Sequence, residues 1–329
     1  MNRSSDSTAK KSLRFTHEAM NTDFTIFIDA IDTDPETAAA AAQNAFAVLD
    51  RIESQMSRFV PSSDISLANT LPQGDSLQLN MEVFDCLSTA AALAAATDRA
   101  FDPAAGALID FWKGAQSHLA ATAFASNLSP PPEWEAAWEA HRQGEFALDP
   151  ETRLLQCVSI GSKLDLGGIG KGFALDEMAL VLEREWRISR ALLSAGGSTM
   201  LALDSPLESA GWKIGFGGET KLPYLLLSRH ALSSSGNQTQ LTHIVDPRTG
   251  DVISRSDLIR ALAPLAAEAD ALSTAFFVMS REELDSYCAN HPEHAALLAL
   301  NDDAGVPSRF DILGAAENFS WENSARNDP

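Results

Sequence analysis

The chain has 329 residues, of which 45% are hydrophobic, so it can bury the core of one large domain or of two average ones. Its formal net charge is −21 at pH 7. This charge argues against nucleic acid and anionic membrane as partners, because the surface would repel both. A polyanionic small molecule would therefore need local cations or backbone amides. The three cysteines are far apart and form no CxxC pair, so the sequence implies neither a disulfide framework nor a zinc site.

The N-terminal stretch MNRSSDSTAKKSLRF is polar and lacks the apolar segment of a signal peptide. No stretch approaches the roughly 18 continuous apolar residues of a membrane span. We therefore expect a cytoplasmic protein without a transmembrane segment. We expect a disordered lead over 1–13, one domain over 14–315 and a flexible tail over 316–329.

In the first half of the chain, the β-rich run 24–28 predicts a strand. Asp34 as N-cap and Pro35 at the first helical position predict the start of a long amphipathic helix. An alanine-rich segment predicts a second helix over 81–96, and Trp134 lies near the start of a third.

In the second half, short strands alternate with glycine turns and two helices. The predicted strands lie near 145–148, 154–158, 162–166, 190–203 (interrupted by a turn), 212–216, 224–228, 230–234 and 243–245, and the predicted helices near 172–186 and 264–279. Ser280 and Glu283 form a capping-box pattern for one further helix. With no repeat and no clear linker, this order favours one α+β domain.

A glycine-rich turn, KLDLGGIGKGFALDE, covers residues 163–177. It is not a P-loop, because Gly172 follows Lys171 where Ser or Thr belongs, and it is not a dinucleotide fingerprint, because Phe173 replaces the third small residue. Its exposed carbonyls could bind a hard cation while Lys171 meets an anion. A purely structural turn stays an alternative.

The segment ADALSTAFF places Asp270 and Thr274 four residues apart, on one face of a helix, with Ser273 beside them. Carboxylate and hydroxyl oxygens suit Mg²⁺ better than a soft metal. The alternative is that these polar groups satisfy free amides at a helix N-terminus.

Two further motifs contain residues suited to catalysis or stacking. In HIVDPRTG, residues 243–250, a turn from Asp246 to Gly250 leaves His243 at the end of a strand, where it could act as a base or have a structural role. In AFDPAAGAL, residues 100–108, Phe101 offers a stacking face and Asp102 begins a rigid turn.

Taken in chain order, these motifs resemble those of one family. MNTDFTI at 20–26, SRFVPSSDISLAN at 57–69, AFDPAAGAL, DLGGIGKGFALD, LLSAGGS, SSGN, HIVDPRTG and ADALSTAFFVM are together similar to the ApbE family, the FAD:protein FMN transferases. The resemblance covers about residues 20–300. It implies a T-fold-like α+β domain of mixed antiparallel sheets packed with helices.

The resemblance also implies an activity and its residues. The activity is Mg²⁺-dependent transfer of the FMN moiety of FAD to a Ser or Thr hydroxyl of an acceptor flavoprotein, with release of AMP. An FAD pyrophosphatase and a non-catalytic FAD-binding protein are the alternatives. The implied FAD-binding residues are Met20, Phe59, Ala100, Phe101, Asp102, Asp165, Lys171 and Val245. The implied metal ligands are Gly168, through its carbonyl, Asp270, Ser273 and Thr274, and the implied catalytic residues are His243 and Asp270.

Overall fold

The computed structural model describes most of the chain. The described residues are 12–31, 33–114, 130–161, 163–216, 222–235, 244–253, 259–301, 306–314 and 319–322.

Fourteen strands in these ranges form three antiparallel sheets. They are β1 (Ser12–Ala19), β2 (Thr22–Asp29), β3 (Ser76–Gln78), β4 (Glu145–Asp149), β5 (Leu154–Ser159), β6 (Ala191–Ala195), β7 (Thr199–Ala202), β8 (Trp212–Ile214), β9 (Tyr224–Leu227), β10 (His230–Ser235), β11 (Ile259–Ala263), β12 (Ala295–Asn301), β13 (Pro307–Gly314) and β14 (Ser320–Glu322). The main sheet has the order β1-β2-β6-β7-β10-β11-β12-β13, and the smaller sheets have the orders β14-β9-β8 and β3-β5-β4.

Eight α-helices in the described ranges accompany the sheets. They are α1 (Pro35–Met56), α2 (Asp64–Ala68), α3 (Met81–Ala96), α4 (Gly106–Lys113), α5 (Pro132–Gln143), α6 (Gly170–Leu180), α7 (Ala266–Val278) and α8 (Arg281–Asn290). A π-helical turn, Val181–Glu185, continues α6. None of these helices combines the length and hydropathy needed to cross a bilayer.

The main sheet is buried on both faces in its centre. Along β11, Ala261 and Ala263 join the large core that includes the helices, whereas Leu262 between them joins a second core with β8 and β9. Alternate side chains of a strand point to opposite faces, so the two cores lie on opposite sides of the sheet. The predicted α+β class with mixed antiparallel sheets is confirmed.

The helix boundaries follow the predicted capping residues. The Asp34 carboxylate accepts the amides of Glu36 and Thr37 at the start of α1. Ser280 and Glu283 form the reciprocal capping box of α8. These side chains satisfy amides that have no partner inside the helix.

Two predicted strands are wrong in their described parts. Residues 163–166 form no strand, because the side chain of Asn69 pairs with Leu164 as a neighbouring strand would: its Oδ1 accepts the Leu164 amide at 2.7 Å and its Nδ2 donates to the carbonyl at 3.0 Å. At 244–245, Val245 makes only an isolated bridge to Val252 across the turn.

The ends of the fold extend past the expected boundaries. β1 begins at Ser12, two residues before the expected start of the domain. β14, at 320–322, lies within the expected tail and pairs with β9. The division into lead, domain and tail stays a prediction.

Helices α6 and α7 approach each other so closely that only glycine fits at Gly172. A Cβ there would lie 2.0 Å from the carbonyl oxygen of Ala266. The contact joins the glycine turn to the helix that contains Asp270.

Asp176 on α6 reinforces this contact. Its carboxylate accepts the amides of Ala266 and Ala267, both at 2.8 Å, at the start of α7. Burial raises its pKa to about 7, although the two amides act in the opposite direction.

We expect Gly172→Ala to lower the free energy of unfolding by about 3 kcal/mol or more, because backbone atoms must move to admit the methyl group. Gly170→Ala is the matched control, since a Cβ there meets nothing closer than 3.9 Å. Urea unfolding of both variants measures the difference. Equal stabilities would contradict the close contact.

We expect the stability that Asp176 contributes to depend on pH. Its folded-state pKa is raised, so the contribution is fully present below the ordinary value of 3.8 and is lost as the pH rises through about 7. As the pH rises from 4.5 to 8, the wild type should therefore lose stability relative to Asp176→Asn. Urea midpoints across this range measure it, and a shift in favour of the wild type would mean that the amides outweigh burial.

Candidate functional site

Asp270 is the buried centre of the site. One carboxylate oxygen accepts the Gly172 amide at 3.1 Å and lies 3.6 Å from the ammonium of Lys171. The other oxygen accepts the hydroxyls of Thr199 at 3.0 Å and Ser233 at 3.3 Å. These contacts join the glycine turn, two strands of the main sheet and α7 at one carboxylate.

A chain of hydroxyl groups leads from Asp270 towards the surface. The Ser273 Oγ lies 3.3 Å from that of Ser233 and 2.7 Å from that of Ser235. The Ser235 Oγ in turn lies 3.3 Å from the Thr274 Oγ1. The i, i+3 and i+4 spacing along α7 thus places Ser273 and Thr274 beside Asp270, as their sequence pattern predicts.

The backbone of Gly168 lies against the hydroxyl of Thr274. A Cβ there would be 3.3 Å from the Thr274 Oγ1 and 3.2 Å from the ring of Phe101. The structure therefore brings together all four residues predicted as metal ligands: Gly168, Asp270, Ser273 and Thr274.

The donors at this point suit only a hard cation. Within the described ranges, no three His, Cys, Asp or Glu residues form a cluster that could hold a metal. The available donors are one carboxylate, three or more hydroxyls and backbone carbonyls. Mg²⁺ accepts such oxygen donors and usually completes its coordination with water and substrate phosphate, so the residues fit this ion.

We call Asp270, the hydroxyls around it and the Gly168 backbone the oxygen cluster. Two adjoining hollows lie next to it, and Gly168, Ser235 and Thr274 line one of them. The first, which we call the Met20 hollow, has a volume of about 310 Å³. The second, the Phe101 hollow, has a volume of about 260 Å³. Both are bounded by Lys113, Asp165 and Gly167, so together they form one cleft.

All eight predicted FAD-binding residues line this cleft. Met20, Phe59, Asp165 and Lys171 bound the Met20 hollow. Ala100, Phe101, Asp102, Asp165 and Val245 bound the Phe101 hollow, together with Gly168 and Thr274. Asp270 and Ser273 lie buried behind the wall of the cleft.

The two predicted aromatic residues differ in exposure. Phe59 is 77% exposed, whereas Phe101 is 4% exposed and packs in the core. The Phe59 ring is therefore free to stack on a planar ligand, while Phe101 forms a fixed wall.

Met20 occupies a strained turn at the mouth of the cleft. Met20 and Asn21 join β1 to β2 with φ angles of 50° and 58°, both in the left-handed region. Asn tolerates this conformation better than Met, so Met20 is the strained position. The Met20 amide donates to Glu53 at 2.8 Å, which helps to hold the turn.

Arg58 is a cleft residue that the sequence analysis missed. Its guanidinium donates to Asp165 at 2.5 Å and to Asp110, and it lies over the Phe59 ring at 5.4 Å from the centroid. It offsets the negative charge of Asp165, which would otherwise repel a phosphate. In the sequence, only its position next to Phe59 indicated that Arg58 lies at the cleft.

Thr199, Ser233 and Ser235 were also missed. They come from β7 and β10, which pair with each other in the main sheet. Their polar side chains in otherwise apolar strands were the available signal, but only the strand pairing shows that they meet Asp270.

The carboxylate of Asp102 is used within its own turn. It accepts the Ala104 amide at 2.8 Å and a hydrogen bond from Arg99. His141 lies behind it, with its ring nitrogens near the carbonyls of Ala104 and Pro247, at 3.3 and 2.9 Å. Asp102 thus shapes the wall of the Phe101 hollow.

The predicted catalytic residue His243 lies outside the described residues.

The chain is similar to known proteins over most of its length. A model of the ApbE family matches residues 20–298. An FAD:protein FMN transferase of Treponema pallidum is 26% identical over 312 residues, which cover 84% of this chain and 83% of the relative. One of Chlamydia muridarum is 27% identical over 260 residues, which cover 72% of this chain and 76% of the relative.

Solved structures have the same fold. The flavin transferase ApbE from Vibrio cholerae superposes with a TM-score of 0.75 at 19% identity, covering 94% of this chain and 99% of that one. The apo form of the Pseudomonas stutzeri flavinyl transferase ApbE gives 0.73 at 22% identity, covering 94% and 96%. At these identities the likeness concerns the fold alone. Because the family model spans residues 20–298, this chain belongs to the ApbE family.

Proposed function

We propose that this protein is a transferase that moves the FMN moiety of FAD to a hydroxyl group of an acceptor protein. The observation that carries the proposal is the cleft of two hollows, which meet in front of a buried carboxylate and a cluster of hydroxyls. The curated relatives bear the name FAD:protein FMN transferase.

The cleft suits the chemistry of FAD. FAD consists of two halves, FMN and AMP, joined by a pyrophosphate. Two adjoining hollows can take one half each, with the pyrophosphate where they meet. The exposed ring of Phe59 can stack on a planar group in one hollow, and Phe101 forms a fixed wall of the other.

The charged groups near the junction support binding of phosphate. Lys171 is held between the Gly167 carbonyl, at 3.2 Å, and Asp270, at 3.6 Å, and its side chain is 27% exposed. An ammonium fixed in this way can donate to a phosphate oxygen without losing its other contacts.

Gly168, Asp270, Ser273 and Thr274 would hold Mg²⁺, which when bound offsets the charge of the pyrophosphate and polarises the phosphorus. A Ser or Thr hydroxyl of the acceptor attacks the phosphorus next to FMN, the bond to AMP breaks, and FMN remains on the acceptor as a phosphoester. The hydroxyl proton goes to a base, for which His243 is the candidate from the sequence.

The test is to incubate the protein with FAD, Mg²⁺ and a flavoprotein acceptor and to weigh the acceptor by mass spectrometry. We expect a mass gain of one FMN and release of AMP. An unmodified acceptor with free FMN and AMP would indicate a pyrophosphatase, and intact bound FAD a carrier.

In the same assay His243→Ala should slow transfer while FAD affinity is retained, and equal rates would exclude His243 as the base.

We expect Asp270→Asn to reduce transfer at least about 100-fold, because the change removes the one carboxylate of the proposed metal set, and even outer-shell changes cost 10–100-fold. Added Mg²⁺ and FAD should raise the melting temperature of the wild type more than that of the variant. Asp285→Asn is the matched control, since the exposed carboxylate of Asp285 lies on α8, outside the residues that line the cleft. Full activity and an unchanged response to Mg²⁺ in Asp270→Asn would refute the metal assignment.

A further inference from the structure

Lys113 occupies the junction of the cleft. It is the last residue of α4 and lines both the Met20 hollow and the Phe101 hollow. Only Asp165 and Gly167 among the described residues share this position. The resemblance to the family assigned no role to Lys113.

The backbone that carries Lys113 is firmly held. At the start of α4 the Gly106 amide donates to the Lys163 carbonyl at 2.8 Å. Next to Lys113, the indole of Trp112 is buried and donates to the Gly250 carbonyl at 3.0 Å. The side chain of Lys113 is exposed, so a well-anchored backbone presents an exposed ammonium to the cleft.

The other two cations of the cleft already have protein partners. Arg58 is bound by Asp110 and Asp165, and Lys171 by Asp270. Within the described part of the chain, Lys113 forms no ion pair. The carboxylate of Asp110, three residues before it on α4, is taken by Arg58 and by Lys163, at 3.1 Å from the latter.

A cation without an ion-pair partner among the described residues can bind an anionic ligand at this junction. The chain has a net charge of −21, so an anionic ligand meets general repulsion, and both Arg58 and Lys171 are already paired with carboxylates. If each hollow takes one half of FAD, the pyrophosphate between the halves lies where Lys113 reaches. We infer that the ammonium of Lys113 binds the pyrophosphate of FAD, an inference that rests on the proposed function.

The test compares ligands with and without phosphate. We expect Lys113→Met to weaken FAD and ADP about 10-fold, the loss of one charge-assisted hydrogen bond, and to leave riboflavin affinity within about 2-fold. Lys113→Arg should restore most of the FAD affinity. Lys213→Met, the same charge change on β8, is the control and should leave all three affinities unchanged. Flavin fluorescence measures FAD and riboflavin, and calorimetry measures ADP.

Two results would overturn the inference. Unchanged FAD and ADP affinities in Lys113→Met would exclude a contact with the pyrophosphate. Equal weakening of FAD, ADP and riboflavin would indicate a general effect on the shape of the cleft. Failure of the proposed function would look different. If the wild type bound FAD more tightly than Lys113→Met but modified no acceptor, the inference about Lys113 would stand and the transferase activity would be refuted.

Discussion

The contact between α6 and α7 is the constraint on which the rest of the site depends. Neither helix begins with a side chain that can cap it, since Ile169 and Leu265 stand at the N-cap positions. Each helix instead receives a carboxylate from the other. Asp270 of α7 accepts an amide in the first turn of α6, and Asp176 of α6 accepts two at the start of α7. Both carboxyl groups thus accept amides at the helix ends where the positive poles of the dipoles lie.

This arrangement explains why Asp270 can stay in a largely apolar interior. Its oxygens have four polar neighbours, one of them the ammonium of Lys171. A carboxylate without hydrogen-bond partners is costly to bury. The same groups hold the Asp270 carboxylate next to the hydroxyl chain. The stability of this region and the placement of its oxygen donors therefore depend on the same contacts.

The sequence predicted those features that depend on neighbours along the chain. Asp34 and Ser280 marked helix starts, and the spacing of Asp270, Ser273 and Thr274 predicted their common face. Pairing between distant segments could not be read in the same way. Asn69 replaces a strand partner for Leu164 with a side-chain amide, and no local pattern distinguishes this from a strand. Arg58, which follows α1, and Lys113 of α4 meet the glycine turn only in the folded chain. By contrast, all eight residues that the family motifs predict to bind FAD line one cleft.

The reciprocal capping of α6 and α7 also has a consequence for folding. Asp270 and Gly172 are separated by 98 positions, and Asp176 and Ala266 by 90. The chain between them must pay the entropy of closing a long loop before either cap forms, so contacts of this kind tend to form late. Because each cap completes the other helix, the two helices gain or lose their ends together. The oxygen cluster also needs β7 and β10 in place, since Thr199 and Ser233 come from these paired strands.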